Sequence, residues 1–249
     1  GEVKMKLEIL PIKTRKILPP KDDITNILKH LPKLKEGDVL AIASKILAIH
    51  QGRCIKNNLK FKNLKFKIIR QEADYSLPMK KVGDSEIILT IKNHTLIPSA
   101  GIDESNGKDY YILWPKNASK EAKRIATYLK KRDGIKKLGV IIADSHTTPL
   151  RWGTQGISIG FFGLEPLKDY RGKKDIFGRK LKYTRSNIVD SLANLAVLMM
   201  GEGKEQTPLL IIRGLKQLKF TSKDLHRKLV IDPRKDLYYP LLKVFRKKK

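Results

Sequence analysis

Three observations predict a mixed α/β fold. Apolar runs of strand length recur at residues 7–12, 39–43, 140–143 and 209–213. Residues 119–132 carry Ala122, Ile125, Ala126 and Leu129 at helical spacing, so one face of that helix turns toward a core. Residues 186–200 are apolar nearly all round, the pattern of a buried helix. Strands and helices interleave, and no low-complexity linker marks a boundary between domains.

The elements follow in order. After the first strand, Pro19 and Pro20 mark a loop, and a helix is expected over about residues 23–30, with Asp22 or Asp23 as its cap. Pro32 and Gly37 close that region before the strand at 39–43. Residues 56–67 alternate Leu59, Lys60, Phe61, Lys62 and then Leu64, Lys65, Phe66, Lys67, which predicts an amphipathic strand pair with a solvated lysine face. A polar loop is expected at 71–81 and another apolar run at 86–91. Ser119 is the expected cap of the 119–132 helix and Gly134 its stop; Gly201 ends the buried helix, and Pro208 leads into the last strand. The lysine-rich end, residues 243–249, reads as a frayed tail.

Composition narrows the function classes. A chain of 249 residues, 41% hydrophobic, can bury a large core. No apolar run approaches the roughly 20 residues of a membrane span, and charges near the start argue against a signal peptide. Cys54 is the single cysteine, so an intrachain disulfide is excluded and a reducing cytoplasm is the expected setting. Lys and Arg number 53 against 25 Asp and Glu, a net charge of +28. A nucleic-acid footprint would concentrate on one face. These lysines are scattered from end to end, so small anionic molecules are the expected ligands. A basic nucleic-acid-binding protein is the alternative.

Residues 139–153, GVIIADSHTTPLRWG, hold the densest chemistry. An apolar segment ends at Asp144, followed by Ser145, Thr147, Thr148, His146 and Arg151. A carboxylate at the end of a buried strand is costly without a partner. A divalent cation carrying phosphates is one such partner; an ordinary polar turn is the other reading. Two further segments repeat the theme. Asp103 and Asn106 lie in a glycine-bounded turn, where an Asp/Asn turn is the plain alternative. Glu202 sits just past the buried helix, near the negative end of its dipole, where a cation would relieve it and a solvated loop is the alternative. Hard oxygen ligands from three segments suit Mg²⁺ or Mn²⁺ better than zinc. A fourth block, residues 169–181, sets Arg171 and Arg179 among glycines, either as an anion clamp or as an exposed basic hairpin. Phosphate loops of the GxxxxGK[ST] type, HExxH and GxSxG are all absent.

In order along residues 7–215, the chain resembles the coenzyme F420 γ-glutamyl ligase family. The resemblance rests on Leu10-Pro11-Ile12, Gly37-Asp38-Val39, Ala43-Ser44-Lys45 and Gly101-Ile102-Asp103-Glu104-Ser105-Asn106. It continues through Asp144 to Arg151, Asp169-Tyr170-Arg171-Gly172, Gly178-Arg179, Met200-Gly201 and Leu209 to Gly214. It implies a γ-glutamyl ligase-like fold over residues 1–215, an intertwined homodimer, and a GTP- or ATP-dependent ligase with two divalent metals. Residues 216–249 fall outside it as a basic extension. By resemblance, Asp103 and Asp144 hold one metal, and Ser145 with Glu202 the second. Leu10, Pro11, Ile12, Lys13, Ser44, Lys45, Asn106, Met200, Gly201 and Gly203 line the nucleotide. Asp144 and Arg151 are the expected catalytic residues, and His146, Thr147, Arg171 and Arg179 the expected substrate contacts. The implied partners are L-glutamate and a carboxylate-bearing acceptor, folate or the deazaflavin. Ile49 and Gln51 depart from the family's lysine and glutamate, with His50 as a possible replacement contact. His146-Thr147-Thr148 departs from the deazaflavin enzymes' usual motif and resembles a folate branch.

Overall fold

The computed structural model describes residues 6–58 and 63–247. Its central sheet has five strands, in the order Glu8–Ile12, Leu209–Arg213, Asp38–Ala43, Leu138–Thr147 and Thr154–Phe162. Asp38–Ala43 and Leu138–Thr147 run parallel, from Leu138 opposite Asp38 to Ala143 opposite Ala43; the other neighbours are antiparallel.

Helices cover both faces, which is why these strands read as continuous apolar runs. Leu40, Ile42, Val140, Ile142 and Ile211 pack on one side with Ala122, Ile125, Ala126 and Leu129 of the Ala118–Asp133 helix. Val39, Ala41, Ile141, Leu210 and Ile212 pack on the other with Val189, Leu192, Ala193 and Ala196 of the Ile188–Met200 helix. Burying each such Leu, Ile or Val contributes about 1.5–3 kcal/mol, so the sandwich is the chain's main store of stability. Where Asp38–Ala43 begins and Leu209–Arg213 ends, fully buried Asp38 takes Arg213 Nε at 2.9 Å and Nη2 at 2.8 Å, joining these two strands by a two-pronged ion pair.

Several expectations need correction. The strand does not end at Asp144. It continues to Thr147 because Asp144, Ser145, His146 and Thr147 pair in turn with Ile157, Gly156, Gln155 and Thr154 of the next strand. The strand pair expected at 56–67 is replaced in its second half by the helix Leu64–Glu72; residues 59–62 lie outside the described residues. Leu64 and Ile68 pack with Tyr111 and Leu113, while Phe66, Ile69 and Ala73 pack with Ile88 and Ala100. That is i, i+4 and i, i+3, i+7 spacing, so the local alternation was subordinate to a helical period that only becomes visible beyond Lys67. Part of the expected 71–81 loop, Tyr75–Ser76, is a strand of a second sheet, ordered Arg246–Lys247, Tyr75–Ser76, Leu89–Lys92, Thr95–Pro98.

The tail is therefore not frayed as far as Lys247, since Arg246 pairs with Ser76 and Lys247 with Tyr75. Ser119 does not cap its helix, which begins one residue earlier after Asn117. Its hydroxyl accepts from the Phe161 N–H at 3.2 Å and meets His226 Nδ1 at 3.2 Å. The buried helix starts at Ile188, and Asn187 caps it by accepting from the Asp190 N–H at 3.1 Å. Among the described residues no helix is long and apolar enough to cross a membrane.

Candidate active site

The parallel pairing of Asp38–Ala43 with Leu138–Thr147 ends at Ala43 and Ala143, and Ser44 and Asp144 follow directly, on the side toward the carboxyl ends where open α/β sheets bind ligands. A cavity of about 480 Å³ opens there. Ser44 and Lys45, Asp103 and Asn106, Asp144 and Ser145, and Met200, Gly201, Glu202 and Gly203 all line it. Ten of the residues expected at the site, from four segments far apart in sequence, thus meet around one space.

Polar contacts stitch these segments together. Lys45 Nζ lies 2.6 Å from Asp103 Oδ2 and donates to the Ser105 carbonyl at 2.9 Å and hydroxyl at 3.0 Å. Asn106 Nδ2 donates to the Gly203 carbonyl at 3.1 Å, tying the Asp103 turn to the loop after the buried helix. Glu202 Oε1 accepts from the Thr154 hydroxyl at 3.2 Å, and Glu205 Oε2 accepts from the Gly203 N–H at 2.8 Å. Asp144 Oδ2 accepts from the Trp114 indole N–H, and the carboxylate is also bonded by the Ser145 backbone and the Ser44 hydroxyl.

Withdrawal from water pushes the Asp144 pKa up to about 6 against those hydrogen bonds, and the charge of Asp103 adds to the rise. Between about pH 4 and 6 the folded chain therefore binds more protons at this site than the unfolded chain. The site's contribution to stability falls as pH rises through that window. Above it the folded protein bears the full cost of a desolvated carboxylate. Asp144→Asn, free of divalent cations, is accordingly expected to melt above the parent near neutral pH. Thermal scans from pH 4 to 8 should show that advantage shrinking toward the acid end.

Among the described residues no group of three or more His, Cys, Asp or Glu side chains gathers closely enough to hold a metal. Asp103, Asp144, Ser145 and Glu202 share the cavity, yet Lys45, Trp114 and Thr154 each hold one of the carboxylates. The donor chemistry nonetheless fits a hard cation. Oxygen ligands face a common space, and the strain of placing Asp144 near Asp103 out of water is the kind a divalent ion relieves.

Other expected residues are not brought to this cavity. Leu10, Pro11, Ile12 and Lys13 stop short of its wall, which begins at Thr14. His146, Thr147 and Arg151 lie further along the Asp144 strand and its turn, outside the lining. Arg171 pairs with Asp169 at 2.6 Å, and Arg179 is exposed on a turn where its N–H donates to Asp175 at 2.9 Å. His50 stands outside the lining, where its Nδ1 accepts from the Ile24 N–H at 3.4 Å. Ile49, by contrast, is buried and does line the cavity, while Gln51 brackets the Lys116 backbone with bonds of 3.0 and 2.7 Å. Sequence reasoning missed the 14–19 wall, Lys108 and Trp114. The basic run before Pro19 was a faint signal for the first, and nothing local marked the indole.

Fold and cavity together define an α/β protein with a mixed-charge cleft beyond its parallel strands, suited to an anionic ligand accompanied by a cation. The family profile described as F420-0:gamma-glutamyl ligase matches residues 11–214. The chain belongs to that family. It is 32% identical over 249 aligned residues to the coenzyme F420:L-glutamate ligase of Methanopyrus kandleri, covering 93% of this chain and 97% of the relative. The enzyme of the same name from Methanocaldococcus jannaschii is 34% identical over 203 residues, covering 77% and 81%. That of Methanosarcina barkeri is 32% identical over 222, covering 84% and 86%.

Proposed function

We propose that this protein is a nucleotide-dependent γ-glutamyl ligase that joins L-glutamate to a carboxylate-bearing cofactor through an acyl phosphate. The observation that carries the reading is the meeting of Ser44, Lys45, Asp103, Asn106, Asp144, Ser145 and the 200–203 loop around one cavity. Asp103, Asp144, Ser145 and Glu202 would hold two Mg²⁺ or Mn²⁺ ions, which supply charge neutralisation to the phosphates of GTP or ATP. Lys45 and Asn106 bind and orient the nucleotide, and the 200–203 loop closes over it. An acceptor carboxylate oxygen attacks the γ-phosphorus and the nucleoside diphosphate leaves. The glutamate amine then attacks the acyl carbon, phosphate departs with that oxygen, and the amine loses a proton. No side-chain nucleophile is needed, which agrees with the absence of triad motifs. Lys45→Met is expected to raise the nucleotide KM about tenfold, the scale of a lost charged hydrogen bond, as initial rates at varied GTP or ATP would record.

The relatives' names favour coenzyme F420 as acceptor, while His146-Thr147-Thr148 favours folate. Incubation with Mg²⁺ or Mn²⁺, glutamate, either nucleotide and each acceptor, read by mass, decides: glutamyl units should appear on one acceptor and vanish without nucleotide. Failure with both acceptors would sink the reading.

Arg151, His146 and Thr147 extend from Asp144 toward the acceptor's side in this reading, and Arg171 and Arg179 reach it from a second protomer. Support for a homodimer comes from Leu150, Trp152, Ile176, Phe177 and Tyr183, apolar side chains 84–103% exposed on the same two loops as these arginines. Light scattering should give twice the mass of one chain; a monomer at assay concentration would remove the cross-protomer role.

A further inference from the structure

Trp114 is 2% exposed, and its indole N–H donates to Asp144 Oδ2. Behind it lies a compact ionic support. Lys92 Nζ stands 5.7 Å from the indole centroid, and Arg53 Nε donates to the Trp114 carbonyl at 3.1 Å. Both cations converge on Glu72 Oε2, each at 2.6 Å. The arrangement pins the ring from the back, through a cation over its face and a bond to its backbone.

In front, the chain makes room for the ring. Ser99, Ala100 and Gly101 adopt φ of 53°, 53° and 70° in succession, and a Cβ on Gly101 would collide with the indole nitrogen. Two consecutive non-glycine residues in the left-handed region cost on the order of 1 kcal/mol or more each and persist only where the surroundings impose them. This turn leads directly to Asp103. The indole is thus wedged between the turn that carries Asp103 and the strand that carries Asp144.

We propose that Trp114 is a positioning residue: its N–H fixes the Asp144 carboxylate, and its ring sets the spacing of the Asp103 turn from the Asp144 strand, so that both carboxylates can address one divalent cation. This rests on the metal-dependent ligase reading above. Outer partners of ligating carboxylates typically contribute 10- to 100-fold to metal affinity.

The test uses Mn²⁺ alone, in a Trp152→Phe background. Loss of Trp152 leaves Trp114 as the single tryptophan. Because Trp152 lies on the surface proposed for the dimer, this background is used once its mass by light scattering and its Mn²⁺ affinity match the parent's. Free Mn²⁺ is counted by electron paramagnetic resonance while tryptophan emission is followed. Paramagnetic quenching should track binding and reverse when Mg²⁺ competes. Two replacements remove the donor: Trp114→Phe, and the benzothiophene analogue of tryptophan, which keeps the ring's shape and has sulfur in place of N–H. Both should weaken Mn²⁺ binding about tenfold with unchanged circular dichroism, while melting falls modestly because the buried Asp144 carboxylate loses a donor. If Trp114→Phe fails to fold, the analogue decides alone. Donor-free protein that binds Mn²⁺ as tightly as the parent overturns the proposal and leaves the ligase reading standing. A parent that binds no Mn²⁺ removes the metal-dependent reading and this proposal with it.

Discussion

Asp144→Asn is expected to lower glutamate incorporation roughly a hundredfold or more, beyond the 10- to 100-fold that loss of an outer partner typically costs, while leaving the protein folded. Asparagine keeps the shape and can still accept from the Trp114 indole, so the packing around residue 144 survives. What disappears is the negative charge that a cation would need. The same variant is expected to be no less stable than the parent near neutral pH, because the wild-type carboxylate is held out of water with a pKa near 6. Stability retained alongside lost turnover separates a functional carboxylate from a structural one. Single-turnover assays with each nucleotide, beside melting curves on the same samples, supply both halves. A variant that ligates at the parental rate would detach Asp144 from the chemistry.

The largest expected effect on stability lies elsewhere, at Asp38. Its carboxylate is fully buried and receives both prongs of Arg213, with the Lys35 N–H at 2.8 Å as a third donor. Asp38→Ala strands a largely buried guanidinium, a loss of about 3–5 kcal/mol when one partner of a buried pair is removed. Glu8, 3.3 Å from Arg213 Nη1, stays as a more exposed partner, so about 3 kcal/mol is expected. Denaturant titration should place the midpoint well below the parent's with the slope unchanged. The double variant Asp38→Ala with Arg213→Met should recover part of the loss, since no uncompensated charge then remains. A single variant as stable as the parent would mean that this ion pair does not hold these two strands together.

How much of this was legible depended on how local each cause is. The central strands could be read because both faces of the sheet are covered, leaving runs such as the LLII that opens Leu209–Arg213 with no polar interruption. The Ala118–Asp133 helix departs by one residue at each end from its expected span, since its apolar stripe lies within its own sequence. The Leu64–Glu72 helix was misread because its period is set by Tyr111, Leu113, Ile88 and Ala100, which no window around Lys65 contains. Asp103, Asp144 and Glu202 each looked like an ordinary turn or cap alone; their order along the chain suggested a common site, and the fold brings them to one cavity. Trp114 was invisible because its partner lies 30 residues away and its access depends on the backbone at Gly101. Arg171 and Arg179 show the opposite limit: residue type left an anion clamp and an exposed basic hairpin both open, and within one chain the two arginines are exposed, with Arg171 paired to Asp169.

The most direct measurement is isotopic. With ¹⁸O in the acceptor's carboxylate and glutamate limited to a single addition, turnover with divalent cation and nucleotide should release one phosphate carrying one ¹⁸O per acceptor extended, because the acyl oxygen leaves with phosphorus. Phosphate released without label, or label transfer that persists undiminished in Asp144→Asn, would contradict the account.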